Sequence, residues 1–296
     1  MKEILKLAAL IAVLSAFTPV SGGSSQQRGS PPPGPPPIVV KIKEDLHMIQ
    51  NPRNVVSDIG AYGGNISVFL TPEGVILVDS KNERMHDDVV AKVKSLTDKP
   101  IKYLILTHNH ADHSGGAARL HDIGATVLIS ANDRENMAAQ PNQQGLPEIG
   151  YSGQAVIVMG GKEVRLREFR GHTRGDTVVY FPADRVIAMG DLLTTHEDIP
   201  PIVNYGDGGS WTDWKKSIDE ILTMDFDTAI PGHGPAVTKQ QVRDIRNKMV
   251  AIQERVRALN RERKTQEEIT QTLVKEFNWG AGPAAGNIAG LMQEFR

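Results

Sequence analysis

The chain has 296 residues, 40% of them hydrophobic and 23% charged, with a formal net charge of −2. That length can bury a sizeable core, and the near-neutral balance excludes a global field that would draw the chain to nucleic acid or anionic lipid. The absence of cysteine excludes disulfides, zinc–thiolate sites and thiol catalysis.

In chain order, the first segment reads as lying outside the fold. Lys2 and Lys6 precede the apolar run Leu7–Phe17, and Ser21, Gly22 and Gly23 follow it. This order matches a secretory signal peptide over residues 1–22, with cleavage near 22–24, and the run is too short to span a bilayer comfortably. Residues 23–37 are almost all Ser, Gly, Pro and Gln, which predicts a flexible linker with nothing to bury. Together they predict a periplasmic or secreted protein. With no cysteine after the run there is no lipoprotein attachment, and no stable membrane anchor is expected.

From Ile38 the pattern becomes globular. Ile38, Val40 and Ile42 alternate with polar positions as in a strand. Residues 66–78 read as two strands joined at Pro72–Gly74, ending at Asp79. Val89, Val90, Val93 and Leu96 fall at helical spacing within 83–96, and Ile101–Leu106 is a short apolar strand. A helix over 115–122 and a strand over 125–129 follow. Strands are expected at 163–168, 177–181 and 185–189, a helix at 211–223 and a short strand at 228–230. Past Thr238, Val242, Ile245, Met249, Ile252, Val256 and Leu259 mark one long amphipathic helix. Residues 265–277 and 283–295 give two more. Alternating strands and helices, with helices gathered at the end, predict an α/β fold of sheets covered by helices. The domain is set at 38–237, with 238–296 a helical extension packed on it.

The chemistry concentrates after the strand 101–106. His108, His110, Asp112 and His113 fall within six residues, in a loop that Ser114, Gly115 and Gly116 allow to turn. Neutral imidazole and carboxylate are the usual ligands of catalytic zinc, and packing so many titratable groups together is costly without a cation. Three further candidates follow strands: His172 in Gly171-His172-Thr173, Asp191 in Gly190-Asp191, and His233 in Pro231-Gly232-His233-Gly234. Each alone reads equally as a turn; their shared context gives them weight.

H-x-H-x-D-H, then G-H-T-x-G, then G-D, then P-G-H-G resembles the metallo-β-lactamase superfamily, from about Asp79 to Gly234. The resemblance implies an αββα sandwich with the site at one edge of the two sheets. It implies two zinc ions: His108, His110 and His172 on the first, Asp112, His113 and His233 on the second, and Asp191 bridging, as in the glyoxalase-II-like branch. Two metals about 3.5–4 Å apart share a hydroxide that attacks a carbonyl, and bound water reaches a pKa of about 7. Asp112 is the candidate catalytic residue, receiving the proton. Asp79 is either an outer partner of a ligand or a strand-end cap.

The resemblance narrows the activity unevenly. The missing cysteine excludes the β-lactamase subclasses that need one, and the bridging Asp191 is usually absent from the cysteine-free subclass. An exported hydrolase of small esters, thioesters or lactones is therefore expected, with a β-lactamase as the alternative. A one-iron persulfide dioxygenase and a non-catalytic metal binder are further alternatives. No basic groove suggests nucleic acid. His47, His86 and His121 fall in surface patterns. His196, Tyr62, Tyr205 and Trp211 could line a pocket or simply pack.

Overall fold

The computed structural model describes residues 34–53, 56–140, 145–196 and 200–296. The signal-like run and most of the linker lie outside the described residues. The linker's last four residues lie within them: Tyr62 donates its hydroxyl to the Pro35 carbonyl at 3.0 Å, and Pro37 is buried. Among the described residues no helix is long and apolar enough to cross a membrane.

The first sheet runs β1 (Ile38–Lys41), β2 (Leu46–Gln50), β3 (Ile66–Thr71), β4 (Gly74–Val78), β5 (Ile101–Ile105), β6 (Thr126–Ser130) and β7 (Ile149–Tyr151), side by side in that order. β1 to β4 are antiparallel and β4 to β7 parallel. The change follows from the connections. A two-residue turn joins β3 to β4, whereas α2 (His86–Lys94), α4 (Ala117–Asp122) and α5 (Ala131–Ala139) carry the parallel crossovers. The second sheet holds β8 (Gln154–Met159), β9 (Lys162–Phe169), β10 (Asp176–Phe181), β11 (Val186–Ala188), β12 (Thr228–Ile230) and β13 (Val237–Thr238). Only β11 and β12 pair in parallel, because α6 (Trp211–Ile221) crosses between them.

Strand alternation builds the layers. In β4, Ile76 and Val78 join Phe69, Phe181 and Leu166 between the sheets, while Val75 and Leu77 pack outward on Val89 and Leu120. The outer face of the second sheet is covered by α6, α7 (Lys239–Arg261), α8 (Gln266–Phe277) and α9 (Ile288–Glu294), with Trp211, Trp214 and Trp279 among them. Thr238 and Thr265 start α7 and α8 with capping boxes closed by Gln241 and Glu268. The result is the α/β fold expected, an αββα sandwich with C-terminal helices.

Some elements were not expected. All of Leu46–Ile49 in β2 is buried, so no alternation marks it. Helix α5 buries only Met137 among its larger apolar residues, and β8 turns Val156 and Val158 outward to solvent. The helix expected over 115–122 is α4, and a further one-turn helix, α3 (Ala111–Ser114), precedes it. His47 and His86 do not lie on the surface as their patterns suggested: each is buried, His47 in an interior strand and His86 where α2 meets the first sheet.

Candidate metal centre

The seven expected ligands converge at one edge of the sandwich. Beyond β5 the chain wraps through Thr107–His110 into α3, so His108, His110, Asp112 and His113 come from one turn. The second sheet delivers the others singly. His172 follows β9, Asp191 sits in the 3-10 turn Gly190–Leu192 after β11, and His233 follows β12, where it bridges Thr194.

Two groups of donors face each other. His110 Nδ1 lies 3.0 Å from His172 Nε2, and His108 completes the first group. His113 Nε2 lies 3.2 Å from His233 Nε2, and Asp112 Oδ2 lies 3.2 Å from His233 Nε2. Asp191 stands between them. Its Oδ1 is 3.3 Å from both His113 Nε2 and His233 Nε2, and its Oδ2 is 3.7 Å from His172 Nε2.

The outer nitrogens explain why the inner ones suit a cation. His113 Nδ1 donates to Asp79 Oδ2 at 2.8 Å, and His110 Nε2 donates to Asp207 Oδ2 at 2.9 Å. His172 Nδ1 donates to the Ile202 carbonyl at 2.9 Å. The Thr107 hydroxyl donates to Asp79 Oδ2 at 2.8 Å, so its oxygen accepts from His108 Nδ1 at 3.0 Å. A neutral ring that donates through its outer nitrogen turns a lone pair inward. Two such lone pairs facing across 3.0 Å, as at His110 and His172, repel unless a cation lies between them. Tetrahedral zinc with Zn–N near 2.0–2.1 Å would space its nitrogens about 3.3 Å apart. His108 Nε2 is buried and has no hydrogen-bond partner. On these observations the residues fit a metal.

The electrostatics agree. Burial, reinforced by neighbouring imidazoles, lowers His108 well below its usual range. Burial likewise brings His172 to about 4, against the opposing pull of Asp191. Both are thus in the form that binds metal. Burial also opposes charge on His113, yet Asp112, Asp191 and Asp79 together raise it well above the ordinary value. Burial would raise Asp191, but His233 and His113 outweigh it and hold the carboxyl well below the usual range. This half of the site attracts positive charge, and the carboxylates that stabilise a proton there also stabilise a metal ion.

Backbone packs directly against the candidate ligands at two glycines. A Cβ on Gly64 would lie 2.2 Å from His113 Cε1, and one on Gly232 would lie 2.0 Å from Asp191 Oδ1. A side chain at either position would displace a ligand.

A cleft of about 710 Å³ opens on the cluster. His110, Asp112, His172, Asp191 and His233 line its base, and Ile59, Pro200, Ile202, Val203, Tyr205 and Pro283 supply apolar wall. Tyr205 is where the sequence suggested. Tyr62 and Trp211 are not: Tyr62 lies in the core beneath the first sheet, and Trp211 packs edge-on against Trp214 at 5.4 Å and Trp279 at 6.0 Å. His196 is not among the lining residues.

Residues 59–233 match the model of the metallo-β-lactamase superfamily, spanning every candidate ligand. The chain belongs to this superfamily. As a metallo-β-lactamase-superfamily protein it is a metal-dependent hydrolase. It is 31% identical over 139 residues to the 2,4-dinitroanisole O-demethylase subunit alpha of Nocardioides sp. (strain JS1661), 46% of this chain but only 41% of that relative's length. It is 26% identical over 191 residues to the metallo-beta-lactamase type 2 of Bacillus cereus, covering 61% of this chain and 72% of that one. The metallo-beta-lactamase from Pontibacter korlensis superposes with a TM-score of 0.63 at 20% identity, over 72% of this chain and 98% of the other.

Within this superfamily site, residues beside the candidate ligands carry weight, and of these the sequence marked only Asp79. Asp79 is both of the things suggested for it: it accepts the Thr107 amide at 2.7 Å as a strand-end cap and fixes His113 as an outer partner. Asp207 orients His110 from a loop that reads only as a Gly-rich turn. Asn65 ties the His233 turn down by donating to Pro231 and Gly234 carbonyls at 3.0 and 2.8 Å. Lys81, fully buried, donates to Asn51 Oδ1 at 2.6 Å and the Gly64 carbonyl at 2.5 Å. No motif marks Asp207, Asn65 or Lys81, because each acts on a group that only the fold brings near.

Proposed function

We propose that this chain is an exported two-zinc hydrolase of small acyl compounds, namely esters, thioesters or lactones. His108, His110 and His172 would hold one zinc, Asp112, His113 and His233 the other, with Asp191 shared. The observation that carries the two-metal reading is Asp191, whose oxygens face the two donor groups separately, Oδ1 toward His113 and His233 and Oδ2 toward His172. When bound, two such ions supply an activated water at neutral pH and polarise the substrate carbonyl.

The chain's own residues do the remaining work. Asp112 is the least enclosed of the carboxylates, with its side chain 24% exposed at the cleft, within reach of a substrate's proton traffic. In the metal-free chain His113 and His233 hold it as the anion, against the opposing effect of its burial. As a carboxylate it has a free lone pair with which to take up a proton. The apolar walls would seat the acyl part and exclude water, and among the described residues no Lys or Arg lines the cleft to recruit a phosphate. Export rests on the signal-like residues 1–22.

A β-lactam substrate is the second reading, favoured by the Bacillus cereus relative. Purified protein loaded with zinc should approach two equivalents per chain by elemental analysis. Steady-state kinetics on esters, thioesters, lactones and three β-lactam classes then rank the substrates. A content near zero in zinc-containing buffer overturns the metal reading. A kcat/KM for any β-lactam on the order of 10⁶ M⁻¹s⁻¹, within the range of efficient enzymes, makes the second reading the right one.

A further inference from the structure

The loop 200–210 is gripped on both sides. Its inner side holds the metal centre. The Ile202 carbonyl accepts from His172 Nδ1, the Asn204 amide donates to the His172 carbonyl at 2.7 Å, and Asp207 accepts from His110. Its outer side is held by the C-terminal helices. Asn287 pairs with Val203 in both directions, accepting its amide at 2.8 Å and donating to its carbonyl at 3.1 Å. Trp279 Nε1 donates to the Pro201 carbonyl at 3.3 Å. Glu294 accepts from Tyr205 Oη at 3.0 Å, Ser210 Oγ at 2.8 Å, and the Trp211 and Thr212 amides at 3.1 and 2.7 Å.

The contact is close as well as polar. The Tyr205 ring lies on Gly290, where an added Cβ would sit 2.1 Å from its Cε2. The superfamily match ends at residue 233, so every one of these outer anchors lies beyond it. The 3-10 turn Gly282–Asn287 also lines the cleft, through Pro283, Gly286 and Asn287. From Asn287 to His172 there is a single intervening dipeptide, Ile202–Val203.

We propose that Asn287 and Glu294 are positioning residues of the metal centre: through the loop 200–210 they aim His110 and His172, and so set the metal affinity of that half of the site. This rests on the reading of those two histidines as ligands. The other half, Asp112, His113 and His233, is held by Asp79, Asn65 and α3, which among the described residues make no hydrogen bond to this loop. The effect is therefore confined to one metal of two.

The test is zinc binding to the purified full chain, measured by competition with a chromophoric chelator, for the unaltered protein, Asn287→Ala and Glu294→Gln. Removal of an outer partner typically weakens a site 10–100-fold. One of the two zinc equivalents should weaken on the order of 10-fold in each variant, with the other unchanged. Amides of residues 200–210 should exchange faster with solvent deuterium. Glu294→Gln keeps the side chain's shape, so it carries the test if Asn287→Ala does not fold. Unchanged affinities in folded variants overturn the inference alone, as does equal weakening of both equivalents. Failure of the unaltered chain to bind zinc overturns the ligand reading beneath it.

Discussion

The first sheet supplies four candidate ligands from one turn after β5, whereas the second supplies three from the ends of β9, β11 and β12. In the first, neighbouring residues share one backbone path, and α3 with Asp79 orients His113, while His110 alone of the four reaches across to Asp207. In the second, each ligand depends on a separate loop, and His172 depends in turn on residues as distant as Asn287. Two halves of one centre therefore stand on different supports, local on one side and tertiary on the other.

The largest expected effect tests whether the halves are equally necessary. His113→Ala and His172→Ala should each lower zinc content by one equivalent and kcat/KM on the order of 10³-fold, several kcal/mol of transition-state stabilisation. Retention of both equivalents by either variant would remove that histidine from the ligand set.

Asp79→Asn probes the local support. Asp79 sits at φ 66°, a conformation asparagine tolerates, so the backbone should survive. The new amide cannot accept from Thr107 and His113 as two carboxylate oxygens do. Zinc affinity should fall about 10–100-fold in the His113 half, as read by chelator competition. A loss confined to the His172 half would reverse the assignment of supports.

The smallest effect concerns Lys81, beneath the same support. Burial lowers its ammonium to about 7, with Asp112 and Asp58 only partly opposing. A neutral amine has two N–H donors, matching its two acceptors on Asn51 and Gly64. An unfolded lysine titrates near about 10.4. Between about pH 7 and 10 the unfolded chain thus holds a proton that the native chain lacks, and stability rises with pH across that window. Urea unfolding of metal-free protein should show this rise in the unaltered chain and not in Lys81→Met. Parallel pH dependences would mean that Lys81 stays charged.

The same contrast explains what the sequence made legible. His108, His110, Asp112 and His113 announce themselves because ligands crowd into one turn. His172, Asp191 and His233 needed the company of a known pattern, being single residues at strand ends. Asp207 and Asn287 gave no signal, since their partners lie 97 and 84 residues away in the chain. Among the elements, α7 was plain from periodicity and β4 from the turn at Pro72–Gly74, while β2, buried along its length, and the polar α5 have no period to read. For Tyr62 and Trp211, pocket wall and packing were both open, and the structure decides for packing. Aromatic residues beside glycines suggest a mobile rim, but both rings had apolar layers to fill.

The doubly gripped loop also makes the molecule's last helices a gauge of its catalytic state. Free-energy coupling between two sites is reciprocal. Whatever Asn287 and Glu294 lend to the ion at His110 and His172, that ion must return to the turn Gly282–Asn287 and α9. Zinc should therefore slow proteolysis and hydrogen exchange at the carboxyl end, far along the chain from any ligand. Conditions that strip the metal should loosen that end first, exposing Trp279 and the apolar face of α9 before the sandwich itself gives way.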